Sequence, residues 1–196
     1  MVDSMTRPPP SSATCKGRPA ASPSRARRVL RSLWMPALVL GLGLSLLSRK
    51  SGPDEGTEAA SFDLPVVSGS GERFQLAAHR GTPVVVEAFA SWCSACRSAA
   101  PVLDAAAHAS RAAPVRFVAV SVDDTAQSAA KAAHEWGIGF DVAWDDGDFA
   151  AQYDISNLPT LVVVDREGRV AHTATGKVSR TELERWLADL GAARTD

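Results

Sequence analysis

The stretch VVVEAFASWCSACRSAAP, Val84 to Pro101, limits the possible folds of this chain more than any other. An apolar run, Val84–Ala90, carries one acid, Glu87, and stops at two cysteines spaced C-x-x-C, Cys93 and Cys96. A short continuous apolar run rich in Val reads as a buried strand. The sequence after it reads as a helix over about 94–110. The chain therefore passes from a strand straight into a helix, with two of its three cysteines at the junction.

Downstream residues repeat the alternation. VRFVAVSV (115–122) and TLVVV (160–164) have the look of central strands, DREG (165–168) is a turn, and RVAHTAT (169–175) is its hairpin partner. Further helices fall over 125–136 and 179–190. The last opens on Ser179-x-x-Glu182, a capping box, and sets Leu183, Trp186, Leu187 and Leu190 on one face. That order predicts an α/β fold, a sheet covered by helices on both faces. Trp136, Trp144 and Tyr153 are expected as core or rim aromatics, and the acidic run Asp141 to Asp148 as a solvated loop. No internal repeat is visible.

The N-terminal part has another character. Residues 1–60 hold nine Lys/Arg against four Asp/Glu, whereas residues 61–196 hold twelve against eighteen. Residues 1–31 are basic and rich in Pro and Ser, a composition that cannot build a core and is expected to be disordered. Residues 32–48 contain the apolar run LWMPALVLGLGLSLL, Leu33 to Leu47. Fifteen residues are short for a membrane span, but Ser32 and Ser48 extend the run without charge, and Arg31 and Arg49 can snorkel.

Three readings are open: an uncleaved signal-anchor, a cleaved signal peptide, or a buried soluble helix. The best small-residue cleavage match, Thr57-Glu58-Ala59, lies well downstream, and the run lacks the polar face of a soluble helix. The signal-anchor is therefore the expectation. Seven basic residues precede the run and only Arg49 and Lys50 follow closely. This asymmetry places the N-terminus in the cytoplasm and the C-terminal domain outside it. The expected location is the inner membrane, single-pass, with the domain facing the periplasm or an equivalent space. Cys15, ahead of the run, is an incidental thiol. Residues 49–61 read as a flexible linker, and 62–190 as the folded domain. Its acidic balance gives no reason to expect nucleic acid as a partner.

A C-x-x-C pair has bland readings: half of a zinc site, a structural disulfide, or two unrelated buried cysteines. Zinc needs two further ligands, and His79, His108, His134 and His172 show no such spacing. A structural disulfide here closes a very small loop, where entropic stabilisation is least. The chemical reading has a mechanism. A cysteine at a helix start lies beside free N–H groups and the positive end of the helix dipole, which stabilise a thiolate. Cys93 is then the nucleophile. Cys96, one turn on, is the thiol that resolves a mixed disulfide. Such exchange needs no metal and no organic cofactor; the redox-active group is the Cys93–Cys96 disulfide itself.

The segment resembles the active site of the thioredoxin superfamily, and most of all its membrane-anchored TlpA/ResA-like thiol–disulfide oxidoreductases. The likeness covers about 62–190. Trp92 directly precedes the first cysteine and Pro101 falls five residues after the second, as in the family. YDISNLPTLVVVDREGRV (153–170) is similar to the segment bearing the family's cis-proline, here Pro159. SVDDTAQSAAKAAHEWGIGFDVAWDDGDFAAQY (121–153) fits the extra helix–strand insertion of this branch. The resemblance implies a thioredoxin-like fold with a central mixed sheet.

It also assigns roles. Glu87 matches a buried acid of the family, whose raised pKa lets it exchange a proton with Cys96; the bland alternative is an acid facing solvent from an edge strand. The cis bond at Pro159 places the Leu158 backbone beside the disulfide, where it pairs with a substrate chain like an added strand. Trp92 and Leu158 are the substrate-binding residues. Two departures stand out. Asn157 occupies a position where the family often has glycine, and Ser94-Ala95 lacks the proline that many relatives carry beside the second cysteine. The second leaves the redox direction open.

The function so implied is an extracytoplasmic thiol–disulfide oxidoreductase, acting as a reductant of protein cysteine pairs in cytochrome c or copper-oxidase assembly. A membrane protein would supply its electrons. The alternative is a copper-binding assembly factor on the same fold, but that pattern needs a nearby histidine and wider cysteine spacing.

Overall fold

The computed structural model describes residues 51–110 and 115–192. The strands are β1 (Asp63–Ser68), β2 (Arg73–Gln75), β3 (Val84–Phe89), β4 (Arg116–Ser121), β5 (Asp141–Trp144), β6 (Thr160–Val164) and β7 (Val170–Thr175). The helices are α1 (Ser94–Ala109), α2 (Ala126–Trp136), the one-turn α3 (Phe149–Gln152) and α4 (Arg180–Ala192). A 3₁₀ turn, Leu76–His79, follows β2.

All six residues of β3 are buried, as a continuous apolar run requires of a central strand. It pairs with β4 in parallel and with β6 antiparallel, within one mixed sheet of order β2-β1-β5-β4-β3-β6-β7. Glu87 stands opposite Ala119 on one side and Leu161 on the other. It is therefore at the middle of the sheet and not on an edge.

Helices were expected on both faces, and among the described residues the long ones lie on one. Val85, Phe89, Phe117, Ala119, Val142, Leu161 and Val163 meet Cys96, Ala100 and Leu103 of α1, Ala132 and Ala133 of α2, and Leu183 and Trp186 of α4. The reason lies in strand order. The crossovers β3-α1-β4 and β4-α2-β5 step the same way across the sheet, and right-handed connections then put both helices on one face. The opposite face, with Leu64, Phe74, Val84, Val86, Val118, Val120 and Val162, is covered by Phe62, Leu76, Phe149 and Tyr153. Among the described residues, α3 and the 3₁₀ turn are the helical elements there.

Two local expectations are corrected. The acidic run is not a loop throughout, because Asp141–Trp144 forms β5. Asp145 is buried and accepts from the N–H groups of Gly147, Phe149 and Ala150 at 2.9–3.0 Å, which closes the turn into α3. Nor is residues 51–61 a free linker. The Gly56 N–H donates to the Val170 carbonyl at 2.8 Å, Val170 N–H to Thr57 at 2.9 Å, and Ala59 N–H to Gly168 at 2.9 Å. Strand β7 ends the sheet, and its unpaired backbone groups give this Gly- and Pro-containing segment partners that its composition does not reveal.

The aromatics fall as expected. Tyr153 is buried with its hydroxyl donating to Ala60 C=O at 2.6 Å, Trp136 meets Phe89 edge-on, and Trp144 Nε1–H donates to Asp123 C=O at 2.8 Å. The Ser179 hydroxyl accepts from Glu182 N–H at the start of α4, as the capping box predicts. The expectations for 1–31, 32–48 and Cys15 lie outside the described residues. Among the described residues no helix is long and apolar enough to cross a membrane.

Candidate active site

Strand β3 delivers the chain to the cysteines, and the helix geometry then sets their chemistry. Cys93 is the N-cap of α1, in extended conformation, and its Sγ accepts from the Cys96 N–H at 3.1 Å. One of the orphan donors of a helix start thus points at sulfur, with the positive end of the dipole behind it. Both effects favour a thiolate at Cys93. The two cysteines form a disulfide, with Cα atoms 5.3 Å apart. Cys93 retains 8% exposure whereas Cys96 has none, so attack from outside is directed at Cys93. Pro101 lies inside α1, where its ring removes one helical N–H donor.

Glu87 sits on the sheet face that α1 covers. It is 3% exposed, and its Oε1 has no hydrogen-bond partner among the described residues. Burial disfavours the charged form and pushes the pKa from 4.5 up to about 8. Its side chain opens on a small cleft between α1 (Ala99, Val102, Leu103) and the chain at Pro159, Gly176 and Val178. A carboxyl group in apolar surroundings, able to change protonation near neutrality, suits proton exchange with a thiol.

The third component arrives from far along the chain. The Leu158–Pro159 peptide bond is cis. The Pro159 C=O accepts from Gly176 N–H at 2.7 Å, and half-buried Leu158 packs against the cluster holding Cys93 and Cys96. Among the described residues the Leu158 N–H and C=O take no hydrogen-bond partner. Trp92, at 73%, is the large apolar side chain left exposed among the described residues. The structure therefore packs Leu158 against the cluster of Cys93 and buried Cys96, with exposed Trp92 next to Cys93 in the chain, while Glu87 and Pro159 line one small cleft. Asn157 does not use its tolerance for left-handed backbone; among the described residues Asp154, at φ 48°, is the non-glycine residue with positive φ.

Sequence reasoning missed Asp123. It is buried, and its carboxylate accepts from Ser91 N–H at 3.1 and 2.9 Å, from the Ser91 hydroxyl at 2.7 Å and from the Ser121 hydroxyl at 2.7 Å. It ties the residue two before Cys93 to the end of the neighbouring strand. The signal available was an acid just past a buried strand, on the side where α/β sheets place their sites.

One expectation follows directly. Alkylation of the reduced protein at mildly acidic pH should label Cys93 well before Cys96, because only Cys93 is both activated and reachable. Peptide mapping after a short pulse measures the order. Equal labelling, or Cys96 first, overturns the assignment of nucleophile.

The chain is similar to several known proteins. The thiol-disulfide oxidoreductase ResA of Geobacillus kaustophilus is 25% identical over 169 residues, covering 84% of this chain and 96% of the relative. That of Bacillus subtilis is 24% identical over 168 residues, covering 83% and 93%. Among solved structures, a thiol:disulfide interchange protein DsbE from Chlorobium tepidum superposes with a TM-score of 0.64 at 28% identity, covering 70% of this chain and 97% of that one. With a thioredoxin-like sheet and its disulfide in place, and with a family model that matches residues 56–173, the chain belongs to the AhpC/TSA family.

Proposed function

We propose that this protein thiol–disulfide oxidoreductase acts as a reductant of cysteine pairs in extracytoplasmic proteins, tethered to the membrane by its N-terminal segment. One observation carries the exchange chemistry: a Cys93–Cys96 disulfide at a helix start, beside a cis-proline loop whose Leu158 backbone is unpaired among the described residues. A peroxidase would need one peroxidatic cysteine in another local setting; here a second cysteine lies one turn away.

In the reduced protein the Cys93 thiolate attacks one sulfur of a substrate disulfide. A Cys93–substrate disulfide forms and the other substrate sulfur leaves as a thiolate. The substrate strand is held by pairing with Leu158 and by contact with Trp92. Cys96 then gives its proton to Glu87, whose ionised form grows as pH nears 8, and attacks Cys93 Sγ. The Cys93–Cys96 bond closes, and the substrate departs with both sulfurs reduced. Two electrons have moved from protein to substrate, and a donor must restore them. In an oxidising compartment that donor has to bring reducing power across the membrane, so a membrane protein is the fitting partner. Electrons pass between sulfurs throughout, and the cycle requires no metal or organic cofactor.

The resemblance to TlpA/ResA-like proteins suggests haem-attachment cysteines, or copper-site cysteines of an oxidase, as substrates. Membrane tethering is supported by the charge-flanked run Leu33–Leu47. The match to the Geobacillus relative covers 84% of this chain, more than residues 51–196 can supply, so the likeness reaches into that N-terminal segment.

Two measurements on the full chain test the proposal. Equilibration with glutathione buffers should leave Cys93–Cys96 reduced only at strongly reducing ratios, as expected of a reductant; a pair still reduced under mildly oxidising buffer reverses the direction. A C-terminal phosphatase reporter, active only after export, should be active in the membrane fraction. Activity in the soluble periplasm points to cleavage, and an inactive reporter refutes the location.

A further inference from the structure

Ser51 falls in the segment whose composition reads as a linker, yet it is 1% exposed. The N–H groups of Ser156 and Asn157 donate to Ser51 Oγ at 3.0 and 3.2 Å. The same oxygen lies 3.0 Å from Thr160 Oγ1. Thr160 has one hydroxyl proton, which it gives to the Asn157 C=O at 2.8 Å. The Ser51 hydroxyl is therefore the donor to Thr160. With one proton given and two accepted, its hydrogen-bonding capacity is filled. Main-chain bonds add to the anchor: Gly52 N–H donates to Asp154 C=O at 3.1 Å, and the Thr175 hydroxyl to Ser51 C=O at 3.3 Å. Gly52 has φ 96°, and a Cβ there would meet Thr173 Cγ2 at 2.5 Å, so the segment lies tight against β7.

The hydroxyl's three partners lie in the 156–160 loop that carries the cis Leu158–Pro159 bond. The geometry points to Ser51 as a positioning residue for substrate capture. By fixing the Ser156 and Asn157 amides, it holds the next residue so that the free Leu158 N–H and C=O meet an extended cysteine-bearing segment of a protein. This inference rests on the exchange function proposed above and adds a residue about 40 positions ahead of the cysteines to its recognition edge. An alanine at 51 leaves two N–H groups without their acceptor, and the loop must shift to find water. A small disulfide with no peptide backbone has no use for Leu158 and meets Cys93 alone.

The test uses full-length protein. Ser51→Ala should slow reduction of a disulfide-bonded peptide about tenfold, the effect of leaving one or two amides unsatisfied. Reduction of a small aromatic disulfide and the alkylation rate of Cys93 should stay at wild-type values, and Ser51→Thr, which keeps the hydroxyl, should recover most of the peptide rate. An unchanged peptide rate overturns the inference, and so does an equal loss on both disulfides. Should Ser51→Ala not fold, hydrogen exchange on the wild type decides. The Ser156 and Asn157 amides, although their residues are exposed, should exchange at least about a hundredfold more slowly than in a free peptide. Exchange at the free-peptide rate overturns the assignment. A wild type that cannot reduce the peptide at all defeats the parent function as well. A wild type that reduces it while Ser51→Ala does so equally well defeats only the role of Ser51.

Discussion

Cells carrying the Cys96→Ser variant should accumulate covalent adducts of the protein with its partners, seen as higher-mass bands on non-reducing gels that reductant dissolves. Cys93 keeps its place as N-cap of α1, since the bond to its sulfur comes from the backbone N–H of residue 96 and not from the side chain. Attack on a substrate disulfide therefore proceeds. The second step does not, because no thiol remains one turn away to strike Cys93 Sγ. In the wild type that attack is intramolecular between residues whose Cα atoms are 5.3 Å apart. Release by an external thiol lacks this advantage, so turnover should fall roughly a hundredfold or more. The captured proteins should be extracytoplasmic, with paired cysteines, and should include the membrane donor of electrons. If Cys96→Ser traps nothing when expressed and exported, exchange with proteins is not the work of this domain. Copper titration of the reduced wild type then becomes the experiment to do.

Replacing Glu87 with Gln should make the protein more stable at high pH and slower in exchange. An unfolded chain ionises this group near 4.5, while the folded protein keeps its proton until about pH 8. Between those values the folded state binds more protons than the unfolded one, so stability falls as pH rises through the window and levels off above it. The amide cannot ionise and lacks that slope. Melting curves should nearly coincide for the two proteins at pH 4 and separate by pH 9, with the variant ahead by on the order of a few kcal/mol. Exchange should show the opposite sign, with the variant slower and its rate between pH 6 and 9 stripped of the inflection that Glu87 contributes. Parallel melting profiles would falsify the buried-carboxyl assignment. Unchanged exchange across that pH range would remove Glu87 from the proton path while leaving its burial intact.

Local chemistry made much of this protein legible in advance. Val-rich runs can satisfy their burial only inside a sheet, so β3, β4 and β6 were readable from residues 84–90, 115–122 and 160–164. Cys93 at a strand-to-helix junction fixes an activated thiol by helix geometry alone, and a lone acid among valines announces a shifted pKa. Other features depend on partners distant in sequence, which no local pattern records. That the long helices share a face follows from strand order, and strand order is a global packing outcome. Asp145 reads as one more acid in a charged run until the turn into α3 folds its amides around it. Asp123 looks like a surface residue until Ser91 arrives from 32 positions away. Residues 51–61 have the composition of a linker, and composition measures what a segment can do unaided. What orders them is the exposed edge of β7 and the 156–160 loop, whose backbone groups lack partners until this segment supplies them.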